Sequence, residues 1–440
     1  MRNKSLILLG ADAGILLCGL GILLLRQYPA ADYSVLPWAL GAIGAAFGVQ
    51  CFLIKGKYTD DVWLLPIVMF FASIGVVMLG RLKPVLCIPQ LRWLLIGLAV
   101  LLLVLQFSQK IRELMQYQYI LGILTLLVLC LSLLFGTEIG GSKNWLVLGP
   151  LQVQPSEFGR ILLVLFLAAY LSDHKDILRE SGRRFFLLQL PPLRFIAPLL
   201  CIWGMAILMF VVQRDLGSAL LFFCLAVFMT YMATGSKSYV FIALAFFCLG
   251  AFASYQLFGH VRVRFDIWLD PWADPAGQAY QVVQSLFAFA AGGTWGTGLA
   301  HGHPGLIPEV HTDFIFSAIG EELGLIGCTA IMLAYTLFFY RGISIALACR
   351  RELYMLIAAG ISVSFYLQAF IIIAGVTKFL PLTGITLPFI SYGGSSIVTT
   401  IAIFSIIQGM YVLNGREEEQ RLEQEQQQNP AGNRKSRKRK

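Results

Sequence analysis

Charge is scarce in this chain. Only 13% of its 440 residues are Asp, Glu, Lys or Arg, while 58% are hydrophobic and the mean hydropathy is +0.76. An ordinary soluble protein carries about twice that share of charge, so a string of soluble domains is excluded. The useful unit is a spanning helix of about 20 apolar residues. Paired cysteines are also missing. The nine Cys residues form no CxxC pair, most lie inside apolar runs, and Cys87 stands alone on the expected outer side. That leaves no metal-binding pair and no extracellular disulfide framework, only unreactive structural thiols. A folded basic domain is lacking too. The net charge of +9 comes largely from Arg434–Lys440. Nucleic-acid binding is therefore excluded, and the simplest partner for such a tail is anionic lipid.

What the chain does have is apolar runs. Candidate spans cover residues 6–25, 34–54, 62–80, 92–109, 118–135, 157–172, 195–213, 216–234, 238–258, 314–340, 353–375 and 393–413. With the N-terminus in the cytoplasm, 23 of the 33 Lys and Arg residues fall on inside segments and 10 on or near the outer side; without the tail the split is 15 to 10. The positive-inside rule then sets both termini in the cytoplasm. The expected fold is an all-α polytopic membrane protein of about twelve transmembrane helices, with a large extracellular loop, 259–312, between helices 9 and 10. Residues 1–60 form two N-terminal helices, 61–414 the main bundle, and 415–440 a disordered polybasic cytoplasmic tail, or one briefly helical near the membrane. Met1–Lys4 followed by an apolar run imitates a signal peptide. The run is too long and Pro29-Ala30-Ala31 is a poor cleavage site, so an uncleaved first helix is expected.

The 259–312 segment is the one long polar interval. It holds Asp266, Asp270 and Asp274 four residues apart, Arg262, Arg264, and four of the five histidines. A continuous helix would stack the three aspartates on one face, but Pro271 and Pro275 disfavour helix for the residues before them. Trp268 and Trp272 read as interfacial anchors, and Tyr280–Ala291 as an amphipathic run along the membrane surface. His301, His303 and His311 admit a zinc reading, outweighed by that of polar loop residues. Gly293-Thr-Trp-Gly296-Thr-Gly298 is no phosphate loop, because no strand precedes it.

Ionisable groups at membrane depth are costly and so are functional candidates. Asp12 reads as an interior hydrogen-bonding residue. Glu157 and Arg160 open a helix that Ser156 can cap. Arg214 and Asp215 occupy a very short outer turn. Asp313 can cap the next helix. Glu321 and Glu322 lie two turns deeper, roughly 100° apart, so at least one faces the interior.

The chain resembles the shape, elongation, division and sporulation (SEDS) family, whose members include FtsW, RodA and SpoVE. The motifs, in order, are QPSEFGR (154–160), QRDLGSALLFF (213–223), DPAGQAYQVVQSLFAFAAGG (274–293), IPEVHTDFIFSAIGEELGLIG (307–327) and PLTGITLPFISYGGSS (381–396). The resemblance runs from about residue 70 to 414 and is closest to a RodA-type member, with a ten-helix core and two extra N-terminal helices. It implies a peptidoglycan glycosyltransferase that polymerises lipid II, the undecaprenyl-pyrophosphate disaccharide-pentapeptide, at the outer face of the bacterial cytoplasmic membrane, for elongation or division. It also implies a class B penicillin-binding protein as partner. The family's essential aspartate carries over to Asp274, within Asp274-Pro275-x-Gly277-x-x-Tyr280-Gln281. Three departures bear on contact geometry. Arg160 stands where the family usually has lysine, Arg214 where it has proline, and Ser142-Lys143-Asn144-Trp145 replaces a glycine-Arg-Trp pattern.

The expected chemistry needs a carboxylate to take a proton from the attacking sugar hydroxyl and cations to steady the departing pyrophosphate. Asp274 is the expected base. Lys143, Arg160, Arg214, Arg262, Arg264 and Lys378 are the candidate cations, with His311 and Glu321 as further candidate substrate contacts. No metal site or cofactor is built in, although Mg²⁺ or Mn²⁺ could share the work. Two alternatives stand beside the enzyme: a lipid II flippase, and a scaffold that activates the penicillin-binding protein without catalysis.

Overall fold

The computed structural model describes residues 2–27, 32–55, 63–139, 142–149, 151–180, 183–185, 188–190 and 193–428. Pro29–Ala31, Lys57, the boundary at residue 60 and the basic run from Arg434 lie outside the described residues. The helices are α1 (Arg2–Arg26), α2 (Val35–Lys55), α3 (Leu64–Leu82), α4 (Cys87–Gln106), α5 (Ser108–Leu114), α6 (Gln118–Phe135), α7 (Pro155–Glu180), α8 (Leu193–Val212), α9 (Leu216–Thr234), α10 (Lys237–Leu257), α11 (Gly259–Leu269), α12 (Tyr280–Gly292), α13 (Ile315–Ala348), α14 (Glu352–Val376) and α15 (Gly394–Gln428). Every expected span falls on one of the long helices. Among the described residues, ten helices are long and apolar enough to cross a membrane. The other two expected spans are α8, apolar over the shorter Ile196–Val212, and α7, which carries charge at both ends.

Successive long helices run in opposite directions, and side-chain contacts define two ends of the bundle. At the loop end, which carries 259–312, Arg81 of α3 meets Glu322 of α13, and the Gln154 amide before α7 meets Ser395 of α15. At the opposite, tail end, Lys175 of α7 pairs with Glu352 of α14, and Arg350 and Arg351 pair with Glu418 and Glu417 of α15. The start of α1 lies beside the end of α2, where Gln50 donates to Ser5. Of those ten helices, α3, α14 and α15 are the most enclosed. Phe71 of α3 stacks on Tyr335 of α13 at 4.1 Å, and Phe389 and Phe365 close the same aromatic cluster. The Tyr335 hydroxyl donates to the Pro388 carbonyl at 2.6 Å, so this core directly supports the 381–393 segment at the loop end.

Three features depart from expectation. Helix α4 begins at Cys87 rather than near 92, because Pro89 sits in its first turn, where no amide donor is lost. Helix α15 continues to Gln428, farther than the brief helix that composition allows beyond Arg416, because the two Arg–Glu pairs and a bond from the Tyr354 hydroxyl to Glu417 (2.8 Å) tie down its extension. Two short antiparallel sheets also form: β1 (Thr137–Ile139), β2 (Ser142–Leu148) and β3 (Leu151–Val153) at the loop end, and β4 (Arg183–Phe185) with β5 (Leu188–Leu190) at the tail end.

Candidate active site at the loop end

The three aspartates have three different environments. Helix α11 holds through Leu269, so Asp266 is helical, and its carboxylate accepts from the Tyr255 hydroxyl of α10 at 3.1 Å. Arg262 lies over the same Tyr255 ring, 5.5 Å from its centroid. Asp270 caps the single turn Pro271–Ala273 by accepting from the Trp272 amide at 3.1 Å. The prolines end the helix here, as the sequence requires. Asp274 follows that turn and is exposed. Its Oδ2 accepts from the Gln278 amide at 2.9 Å, which folds the carboxylate back over its own turn. A Cβ on Gly277 would fall on that carboxylate, so this conformation requires glycine there. Among the described residues Asp274 has no ion pair, and none of the expected cations touches it.

Arg264 lies two residues beyond Arg262 and therefore about 200° around the helix. It turns inward and donates to the carbonyls of Leu382 (3.2 Å) and Thr383 (3.1 Å). Burial works against its charge, and Asp215 and Asp313 support it. Asp215 caps α9, accepting from the Ser218 amide (3.0 Å), the Ser218 hydroxyl (2.8 Å) and Asn144 Nδ2 (2.7 Å). Burial pushes the Asp313 carboxyl up to about 6; Arg264 and the Thr312 hydroxyl oppose the shift, while Glu309 and Asp215 add to it. His260 is pushed down by burial and by Arg214 and Arg264, and His311 by burial and Lys83 against the pull of Glu309. This cluster is locked to its neighbours. The Ser391 hydroxyl donates to Thr312 at 2.5 Å, and the Tyr392 amide donates to His311 at 3.0 Å.

Glu321 and Glu322 are both buried, because different elements cover both sides of α13 at this level. Glu321 accepts from the His303 amide (2.6 Å). Glu322 accepts from the Ala300 amide (3.0 Å) and pairs with Arg81 Nε (2.8 Å), whose Nη2 also reaches the Gly302 carbonyl (2.8 Å). Just beyond, Gly324 takes φ +66 and breaks the helix. The segment after α12 repairs the break: the Thr297 and Gly298 amides donate to the Glu321 and Glu322 carbonyls, and Leu325 and Ile326 donate to Gly293 and Thr294. Non-helical backbone at membrane depth needs such partners. Unbroken, the 34 residues of α13 would run about 51 Å, well beyond a hydrocarbon core of about 30 Å.

The expected cations sort by position. Arg160 is 2% exposed, inside the bundle, bonded to Glu157 and Gln368; α7 starts at Pro155 and carries it one turn inward from the loop end. Arg264 is internal and Arg262 points sideways to α10. Lys143 and Arg214 are exposed neighbours: the Lys143 amide donates to Gln213 and the Ser142 hydroxyl to Arg214, with Arg214 also 3.5 Å from Glu138. Lys378, at φ +62, reaches the Leu269 carbonyl (3.5 Å), while its own carbonyl accepts from Trp268. Two contributors escaped sequence reasoning. Arg81 showed only as a lone cation at the end of an apolar run, and Asp313 read as a cap.

The fold and site define a polytopic helical membrane protein with a carboxylate-bearing loop packed over one end of its bundle. The family of cell cycle proteins FtsW, RodA and SpoVE matches residues 57–413, and the chain belongs to it. The peptidoglycan glycosyltransferase RodA of Mycobacterium tuberculosis is 39% identical over 425 residues, covering 92% of this chain and 89% of the relative. Among solved structures, a chain from work on the structural coordination of polymerization and crosslinking by a peptidoglycan synthase complex aligns with a TM-score of 0.65 at 30% identity, covering 80% of this chain and 98% of the other. The rod shape determining protein RodA of Thermus thermophilus aligns at 0.58 and 27%, covering 80% and 97%.

Proposed function

We propose that this protein is a peptidoglycan glycosyltransferase that joins lipid II units into glycan strands at the outer face of the cytoplasmic membrane. The observation that carries this is Asp274: an exposed carboxylate on the family's motif, held by one backbone amide over a required glycine and left without a cation. The excess of Lys and Arg on the tail-end connections supports cytoplasmic termini and an outward 259–312 segment. Relatives named RodA and the two additional N-terminal helices favour a role in elongation.

In the proposed reaction the Asp274 carboxylate takes the proton of an acceptor sugar hydroxyl as that oxygen attacks the anomeric carbon of a second lipid II. The bond to pyrophosphate breaks, and the negative charge that develops there needs cations. Lys143, Arg214 and Lys378 are the open candidates, with Arg264 fixing the wall behind them. Among the described residues no three Asp, Glu, His or Cys side chains cluster to cage an ion. A Mg²⁺ or Mn²⁺ would therefore be held mainly by the substrate's phosphates. A class B penicillin-binding protein is the proposed partner, in keeping with the synthase complex to which the chain is similar.

The test places purified protein, with a class B partner, in vesicles holding labelled lipid II and Mg²⁺ or Mn²⁺. Glycan strands from wild type and none from Asp274→Ala support the enzyme. Transport of intact lipid II across the vesicle with Asp274 dispensable would establish the flippase instead, and normal growth on Asp274→Ala would establish the scaffold.

A further inference from the structure

Helix α10 is held loosely. Tyr239 is its single buried residue, and the Tyr239 hydroxyl donates to the Leu178 carbonyl at 2.8 Å. Higher up, Phe247 packs on Phe223 of α9 at 4.6 Å. In its tail-end half the helix borders an apolar groove of about 540 Å³ between α9, α10 and α14, walled by Phe223, Val227, Phe228, Val240, Phe241 and Leu367. Its volume lies within the range of about 300–1,000 Å³ that ligand sites occupy. Near the α9–α10 turn the groove is lined by Tyr231 and by the apolar stem of Lys237. Lys237 is exposed and has no carboxylate partner among the described residues.

We propose that this groove binds one anionic phospholipid of the surrounding bilayer, its acyl chain between α9, α10 and α14 and its phosphate headgroup on Lys237. An apolar slot with a single cation at one mouth matches an amphiphile with a single anionic head. Volume argues against a protein helix: at a width of about 10–12 Å, little more than one turn would fill it. Position argues against the substrate. Lys237 starts α10 and Leu257 ends it, so the 21-residue helix separates this mouth from α11 and Asp274 by about 30 Å. The site is thus independent of the proposed reaction and stands whether or not that reading holds.

Native mass spectrometry of the full chain, purified in mild detergent with phosphatidylglycerol or phosphatidylcholine, tests it. Wild type retains phosphatidylglycerol preferentially, and Lys237→Gln lowers that preference about fivefold, the worth of one lysine at an anionic surface. Lys237→Arg keeps it. Val227→Trp, which fills the groove without changing charge, lowers retention of both lipids. Equal retention of the two lipids by wild type, or a preference unmoved by Lys237→Gln, overturns the proposal. Binding of a polyprenyl phosphate in place of phosphatidylglycerol overturns it in favour of a substrate site. Unchanged thermal unfolding of each variant shows that the loss is not one of folding.

Discussion

The two ends of the bundle use carboxylates in opposite ways. At the tail end they meet side-chain cations: Glu417 with Arg351 and Glu418 with Arg350, both at 2.6 Å, and Glu352 with Lys175. At the loop end most of them meet backbone amides: Asp215 with Ser218, Asp270 with Trp272, Asp274 with Gln278, Glu321 with His303 and Glu322 with Ala300. A flexible cation neutralises a carboxylate and glues two segments together. An amide fixes the carboxylate's position without cancelling its charge. The tail end is therefore adhesive, and the loop end is a rigid frame that keeps negative charge in defined places. Glu322 uses both, Glu138 and Glu157 meet Arg214 and Arg160, and Asp270 and Asp274 are open to solvent with a single amide each.

Removing the open carboxylate gives the largest effect. Asp274→Asn should lower glycan synthesis by about 10²–10⁴-fold while leaving thermal unfolding nearly unchanged; Asp266→Asn, a residue tied to Tyr255, should stay within a few-fold of wild type. Glu322→Gln should do the reverse. Stripping a buried partner from Arg81 should destabilise the protein by about 3 kcal/mol, read as a lowered Tm in detergent.

Asp313 sharpens the comparison through pH. Its folded pKa of about 6 lies above its ordinary value near 3.8, so the ionised form is the disfavoured one in the folded protein. The destabilisation is full above pH 6 and fades as pH falls toward 4. Wild type should gain on the order of 2 kcal/mol from this group over that window, and Asp313→Asn should flatten the dependence of Tm on pH. The smallest effect belongs to the tail end. Arg351→Ala should cost about 0.5–1 kcal/mol, since the pair is partly exposed, and should free the Arg416–Gln428 extension to faster hydrogen exchange.

Much of this arrangement is legible from residues alone. Apolar runs mark the twelve long helices, and the prolines at 271 and 275 end α11 and separate the aspartates. What stayed hidden depends on contacts between distant segments. A helical wheel runs straight through Gly324 and says only that at least one of Glu321 and Glu322 faces inward; the 297–303 segment on one side and Arg81 on the other bury both. Likewise Gln-rich composition beyond Arg416 reads as disorder or a brief helix until Arg350 and Arg351 are brought beside it. The second partner of Arg160, Gln368, could not be read locally because it lies 208 residues away.

The most direct measurement is the rate of lipid II consumption by the purified complex, wild type against Asp274→Asn, at matched stability and matched partner binding. A loss of at least a hundredfold, with substrate still bound, is the expected result. A variant that polymerises lipid II at the wild-type rate would show that Asp274 is not the base, and that the frame at the loop end serves some other group.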